Sequence, residues 1–216
     1  MADEPRVGVD EAGKGPVLGP MVAAAVRAPP DALPDGVDDS KRLAPERREE
    51  LAARLRATEA VAVGAATVGV ERIDAPGTDM NGLTVTAQAE AVSAVARSGD
   101  RVHADAGDVD AARFGRRVAD AVGETVEVVA EHGADESRPA VAAASVVAKV
   151  ERDRRVAALA AEYGDVGSGY PSDPTTRRFL REYVRDHGTL PACARTTWST
   201  CDDLLAAAEQ SALSEF

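Results

Sequence analysis

Residues 6–20 read RVGVDEAGKGPVLGP, and the fold turns on how this stretch is divided. Val7, Gly8 and Val9 make a short apolar run of strand type, with Asp10 and Glu11 at its end. Gly13, Lys14 and Gly15 then break the run, and residues 17–26 read as a second strand returning beside the first. Burying unpaired carboxylates at the end of such a strand costs several kcal/mol each. A metal ion or a basic partner removes that cost. Taken alone, the stretch divides between a solvated acidic turn and a metal site. A phosphate-binding loop is a third reading, since Gly8 to Lys14 fits G-x-x-x-x-G-K. Against it, Gly15 stands where that motif places a magnesium-holding Ser or Thr, and Asp10 and Glu11 would repel phosphates.

Outward from this stretch, residues 29–39 form a Pro/Asp/Gly-rich loop, and a helix begins near Pro45 and runs to about Ala57. Pro suits the first helical turn and Glu46 its positive end. Residues 58–70 are small, apolar and partly β-branched, predicting a third strand, and 71–81 read as a loop around Pro76-Gly77. Helical periodicity covers 83–97 and 111–122. Strands are predicted at 101–104, delivering Asp105, and at 124–130. Residues 132–139 are a loop holding Asp135 and Glu136. A long Ala/Val helix follows over 140–163, a loop over 164–174, a helix over 175–187 and further helical periodicity over 202–212.

Three strands in hairpin-like succession, followed by strands alternating with helices, predict an α/β sheet of mixed direction. Ligands in such sheets sit at the carboxyl ends of strands. Asp10, Glu11 and Asp105 all fall there, and Asp135 lies in the loop before the long helix. Four carboxylates from separate segments, without a cluster of sulfur or imidazole, suit magnesium or manganese rather than zinc. His103 reads as a packed or solvated side chain, although strand alternation puts it on the same face as Asp105.

The length of 216 residues suits one domain, or one with a small appendage. Aromatic residues make up 3% against 44% hydrophobic, so Ala and Val must build much of the interior. No run approaches the roughly 18 apolar residues of a membrane span, and the N-terminus lacks the pattern of a signal peptide. A soluble, cytoplasmic protein is expected, with Cys193 and Cys201 as free thiols. Acids outnumber bases 37 to 25, a net charge of -12, and Lys14, Lys41 and Lys149 are the only lysines. This balance looks like adaptation to a salt-rich cytoplasm. There the Debye length falls to about 3 Å at molar salt, so a nucleic-acid partner is not excluded by charge.

Five segments, VGVDEAGKGPVLGPMV, DDSKRL, HADAGD, GADESRPAVAAASVVAKVERDR and GSGYPSDPTTRRFL, together resemble ribonuclease HII in its archaeal form. They occur in order from about Arg6 to Trp198. The resemblance implies an RNase H-like fold: a mixed five-stranded sheet flanked by helices, with a C-terminal helical extension. It divides the chain into a catalytic domain over 1–163, the extension over 164–209 and a tail over 210–216. It also implies a monomeric, metal-dependent endonuclease acting on RNA–DNA hybrids and on single ribonucleotides in duplex DNA, using Mg2+ or Mn2+. A non-catalytic hybrid-binding module tethered to a clamp is the alternative.

By position, Asp10, Glu11, Asp105 and Asp135 match the family's catalytic carboxylates, with Asp10 shared by both metals. Glu136 and Asp108 read as solvated acids. Gly13-Lys14-Gly15 matches the loop that recognises the ribonucleotide, where glycine lets backbone groups approach the 2′-OH that separates RNA from DNA. Relatives mostly carry Arg at the middle position, so Lys14 keeps the charge without the planar fork. Tyr170 matches the tyrosine that packs on the sugar at the RNA–DNA junction. Lys41 and Lys149 are assigned to phosphate or active-site contacts. Arg177, Arg178, Arg181 and Arg185 either track the phosphate backbone or form a solvated face. The segment 74–81 departs from the family pattern and is expected to vary only locally. Gln210, Leu213 and Phe216 resemble a Q-x-x-L-x-x-F box that binds the sliding clamp PCNA, with one terminal aromatic missing.

Overall fold

A computed structural model describes residues 4–37 and 43–214. Two compact units emerge from the chain. The first takes residues up to Lys14, then Met21–Thr67 and Asp79–Arg152; the second takes Gly15–Pro20, Val68–Thr78 and Asp153 onward.

The first unit is built on five strands: β1 (Arg6–Ala12), β2 (Met21–Ala28), β3 (Ala62–Val68), β4 (Arg101–Asp105) and β5 (Glu127–Glu131), in the order β3-β2-β1-β4-β5. β1 pairs antiparallel with β2 and parallel with β4, and β4 runs parallel to β5. This is the mixed five-stranded sheet expected from the sequence.

Two boundaries differ from that expectation. Asp10 and Glu11 lie within β1 rather than beyond it, because the ladder continues through Asp10↔Ala24 and Glu11↔Ala23 to Ala12. Residues 17–20 do not join β2: Pro16 and Pro20 cannot donate to a ladder, and β2 begins at Met21.

Helix α1 (Pro45–Ala57) starts at its proline, as its sequence indicates. Helix α3 (Met80–Ser93) starts earlier than periodicity alone suggests, because the Asp79 side chain caps it by accepting from the Gly82 N–H at 2.9 Å. Helix α4 is Ala111–Ala121, and a 3-10 turn spans Ala134–Glu136. Helix α5 (Pro139–Tyr163) is the longest element.

Strand alternation sorts the packing. Ala24, Val26 and Ala28 of β2 meet Leu51 and Leu55 of α1 and the Ala/Val face of α5. Helix α3 packs on β1 and β2 from the other face, and α4 on β5. Gly8 is where α5 crosses β1. A Cβ built there would fall well inside contact distance of the Ala140 and Val141 backbone, so only glycine allows this approach.

The second unit contains the short helix α2 (Val70–Ile73), α6 (Pro174–His187) and α7 (Ser199–Ser214). Its core gathers Val17, Leu18, Phe179, Leu180, Cys193 and Cys201. Both cysteines are buried free thiols, as the sequence indicates. The segment 74–81 is more than a variable loop. Helix α2 ends at Asp74, whose carboxylate accepts from the N–H and hydroxyl of Thr196 at 2.7 and 2.9 Å and from the Thr197 hydroxyl at 2.7 Å. Arg177, Arg178, Arg181 and Arg185 are exposed on α6, and two of them pair with acids, Arg178 with Asp165 and Arg185 with Asp186. Among the described residues no helix is long and apolar enough to cross a membrane.

Candidate active site

Adjacent residues on a strand point to opposite faces, and β1 uses this to separate its two carboxylates. Asp10, 6% exposed, faces α5, where it hydrogen-bonds Ser145. Ser145 in turn accepts from Lys149 Nζ at 2.7 Å, one helical turn on. Glu11 faces α3. There Gln88 Nε2 donates to Glu11 Oε2 at 2.6 Å and to the Asp105 carbonyl at 3.0 Å.

Asp105 ends β4, beside β1, and its Oδ1 accepts the Ala134 N–H at 2.8 Å. That contact ties it to the 3-10 turn carrying the buried Asp135. The first unit therefore brings Asp10, Glu11 and Asp105 into one electrostatic neighbourhood. Burial, then Glu11, then Asp105 push the Asp10 carboxyl far above its usual range, against the bond from Ser145. Burial also raises Glu11, against the Gln88 bond and the Lys14 charge.

The donor set fits a hard cation. It consists of carboxylate oxygens, two of them held at a cost that a divalent charge relieves. Among the described residues no three acids, histidines or cysteines close into a cage.

The other expected residues divide between the units. Gly13, at φ 90°, and Lys14 belong to the first. Lys14 Nζ donates to Asn81 Oδ1 at 2.7 Å and to the Gly107 carbonyl. Gly15 and Tyr170 belong to the second, where the Tyr170 ring lies in van der Waals range of a Cβ at Gly15, and the tyrosine remains 41% exposed. The Tyr170 loop is fixed at both ends. Gly169 C=O accepts from the Val17 and Leu18 N–H groups, and Asp173 accepts from the Ser168 N–H and hydroxyl and the Thr175 N–H. Those bonds take the Asp173 carboxyl down to about 2.

Lys41 and Phe216 lie outside the described residues. Gln210 is exposed on α7, and Leu213 falls on the same helix, which runs to Ser214.

Asp108 corrects an expectation. It is 6% exposed rather than solvated, because Arg113 binds it at 2.6 Å and holds its carboxyl low. Glu136 is exposed. The sequence reading passed over Gln88, Asn81 and Ser145. For Gln88 and Ser145 the available signal was a lone amide or hydroxyl among alanines and valines, in TAQAEA and AAASVVAK. Gln88→Leu removes two donors at nearly constant volume. It is expected to raise the Mn2+ concentration needed for half-maximal activity about tenfold, the usual cost of losing an outer-shell partner. A metal titration of initial rates checks this.

Residues 7–201 match the family Ribonuclease HII. The chain belongs to that family. A ribonuclease HII of Haloarcula marismortui is 70% identical over 211 residues, covering 98% of this chain and all of the relative. The ribonuclease H2 of Pyrococcus horikoshii superposes with a TM-score of 0.87 at 34% identity, covering 95% of this chain and 99% of that one. The ribonuclease HII of Archaeoglobus fulgidus, solved in a PCNA:RNase HII complex, gives 0.83 at 40% identity and covers 92% and 96%. Ribonucleases HII are metal-dependent endoribonucleases, and the sheet described above is their RNase H-like fold. The acidic composition also has its explanation, since the Haloarcula relative comes from a salt-loving archaeon.

Proposed function

We propose that this ribonuclease HII cleaves the RNA strand of RNA–DNA hybrids and incises duplex DNA at single ribonucleotides, leaving a 5′-phosphate and a 3′-hydroxyl. The observation that carries this is the gathering of Asp10, Glu11 and Asp105 at the carboxyl ends of the adjacent strands β1 and β4. Two divalent cations, Mg2+ or Mn2+, would supply Lewis-acid charge and activate the attacking water when bound. Asp10, Glu11, Asp105 and Asp135 would hold them, Asp10 serving both positions, Glu11 and Asp105 completing the ligand set and Asp135 supporting the second.

The protein's own groups orient these ligands. Lys149 acts on Asp10 through Ser145, and Gln88 fixes Glu11. Lys14 bonds Asn81 and Gly107, which favours recognition of the 2′-OH by the backbone of Gly13 to Gly15 over a contact from the lysine side chain. The exposed Tyr170 packs on the sugar at the junction, and Lys41 contacts phosphate. The protein acts in the cytoplasm as a monomer. Its tail residues Gln210, Leu213 and Phe216 bind the sliding clamp, a role suggested by the Archaeoglobus complex.

The test is a DNA duplex carrying one ribonucleotide, incubated at high salt with Mn2+ and then Mg2+, beside an all-DNA control. A cut 5′ to the ribonucleotide, abolished by chelator, is expected. No cut under any metal or salt points instead to a non-catalytic hybrid-binding module.

A further inference from the structure

A polar cavity of about 880 Å³ opens in the first unit near the starts of β1 and β4. Arg6, Arg27, Arg101, Arg138 and His103 line it, together with the carboxylates of Glu4, Asp100 and Glu131. Four guanidiniums around one cavity stand out in a chain of net charge -12. Arg27 is committed to Asp100, with bonds of 2.7 and 3.2 Å. Arg138 is shared with Glu131, and Arg101 reaches only Glu127, at 3.5 Å. Arg6 pairs with no carboxylate among the described residues.

Strand alternation and the register Gly8↔His103 put Arg6, Arg101 and His103 on one face of the sheet, the face that α5 covers at Gly8. Arg138 immediately precedes that helix. His103 is 7% exposed, and its Nδ1, closed off from solvent, finds no partner among the described residues. A buried polar atom without a partner calls for a ligand or an ordered water.

We infer that this cavity binds a phosphate group. Donors arrive from three directions, β1, β4 and the residue before α5. A tetrahedral oxyanion can accept from all three, and guanidinium forks match its oxygens in pairs. Apart from the imidazole, no aromatic ring lines the cavity among the described residues, so the phosphate itself rather than a base is what is recognised. The site lies outside the carboxylate cluster, and the inference does not depend on the metal assignment. The phosphate comes either from the nucleic acid strand or from a free phosphate ester.

The chain has three histidines, so single His→Gln variants assign their imidazole resonances. Inorganic phosphate titrated into the full chain in EDTA is expected to move the His103 signal saturably while those of His132 and His187 stay still. Arg6→Ala should weaken the affinity about tenfold, the worth of one charge-assisted hydrogen bond. Arg101→Gln gives the same readout if the first variant is poorly folded. A stationary His103 signal, or variants that titrate like the parent, overturns the inference. An RNA–DNA hybrid added in EDTA identifies the source. Displacement of phosphate places the cavity on the nucleic acid track, and retention assigns it to a small phosphate ester. Because no cleavage is measured, failure here leaves the nuclease reading untouched.

Discussion

Asp10→Asn is expected to lower cleavage of a ribonucleotide-containing duplex by at least about 10³-fold, roughly 4 kcal/mol of transition-state stabilisation, while hybrid binding persists. Asparagine keeps the size and one acceptor oxygen but removes the negative charge that the proposed cation positions require. A second, opposite effect on stability follows. Burial, then Glu11, raises the Asp10 carboxyl well above its ordinary value, which is near about 4 in an unfolded chain. The folded, metal-free protein therefore holds a proton that the unfolded chain releases. The stability this group contributes is fully present below about pH 4 and is lost as pH rises through neutrality.

In chelator, the parent should lose stability across that window and Asp10→Asn should lose less, with a melting temperature at or above the parent's at alkaline pH. Added Mn2+ should raise the parent's melting temperature more as pH rises, since its ligands must deprotonate. In the variant, that rise should largely disappear. Thermal melts with and without Mn2+ across the pH range check both arms. Undiminished cleavage by the variant would remove Asp10 from the centre.

Gly8→Ala is the larger structural perturbation. The added methyl must occupy space held by the Ala140 and Val141 backbone. Backbone cannot rotate aside as a side chain can, so α5 has to shift along its first turns. Overpacking of this kind costs about 3 kcal/mol or more, which for a chain of this size lowers the melting temperature by roughly 6–12 °C. The consequence reaches the chemistry, because α5 also carries Ser145 and Lys149. Material that does fold should therefore cleave more slowly and need more metal. A melt and a metal titration on the same preparation check this. A parent-like melting temperature would show that helix and strand do not meet as described.

Elements whose signal is local were legible in the sequence. Helix α1 begins at Pro45, β4 begins at Arg101, and the sheet has five strands in mixed directions. The carboxylates were legible because charge at the end of an apolar strand is costly and therefore informative. Features set by partners distant in sequence were not legible. The length of β1 depends on its pairing with β2. The placement of residues 17–20 depends on Cys193 and Ala194: Gly19 N–H donates to the Cys193 carbonyl, and Leu18 bridges Ala194. Asp108 looked like any surface acid until Arg113 folded back over it. Gln88 gave no periodic signal, since one amide among alanines fits a solvated helix face as well as a buried one. Arg195 was not legible because its partner lies far away in the sequence. It is fully buried, with Nε on the Gly19 carbonyl at 2.9 Å.

The alanine-and-valine face of α5 has one more effect. Alanine surrenders no rotamer freedom on folding and valine little, so residues 140–148 are ordered at almost no cost beyond the backbone itself. Small side chains also let the helix backbone lie close against the sheet, as it does where Ala140 and Val141 meet Gly8. The hydroxyl facing Asp10 is thus set at a fixed height by the main chain and aimed by Lys149 one turn on, and the helix serves as a ruler as well as a wall.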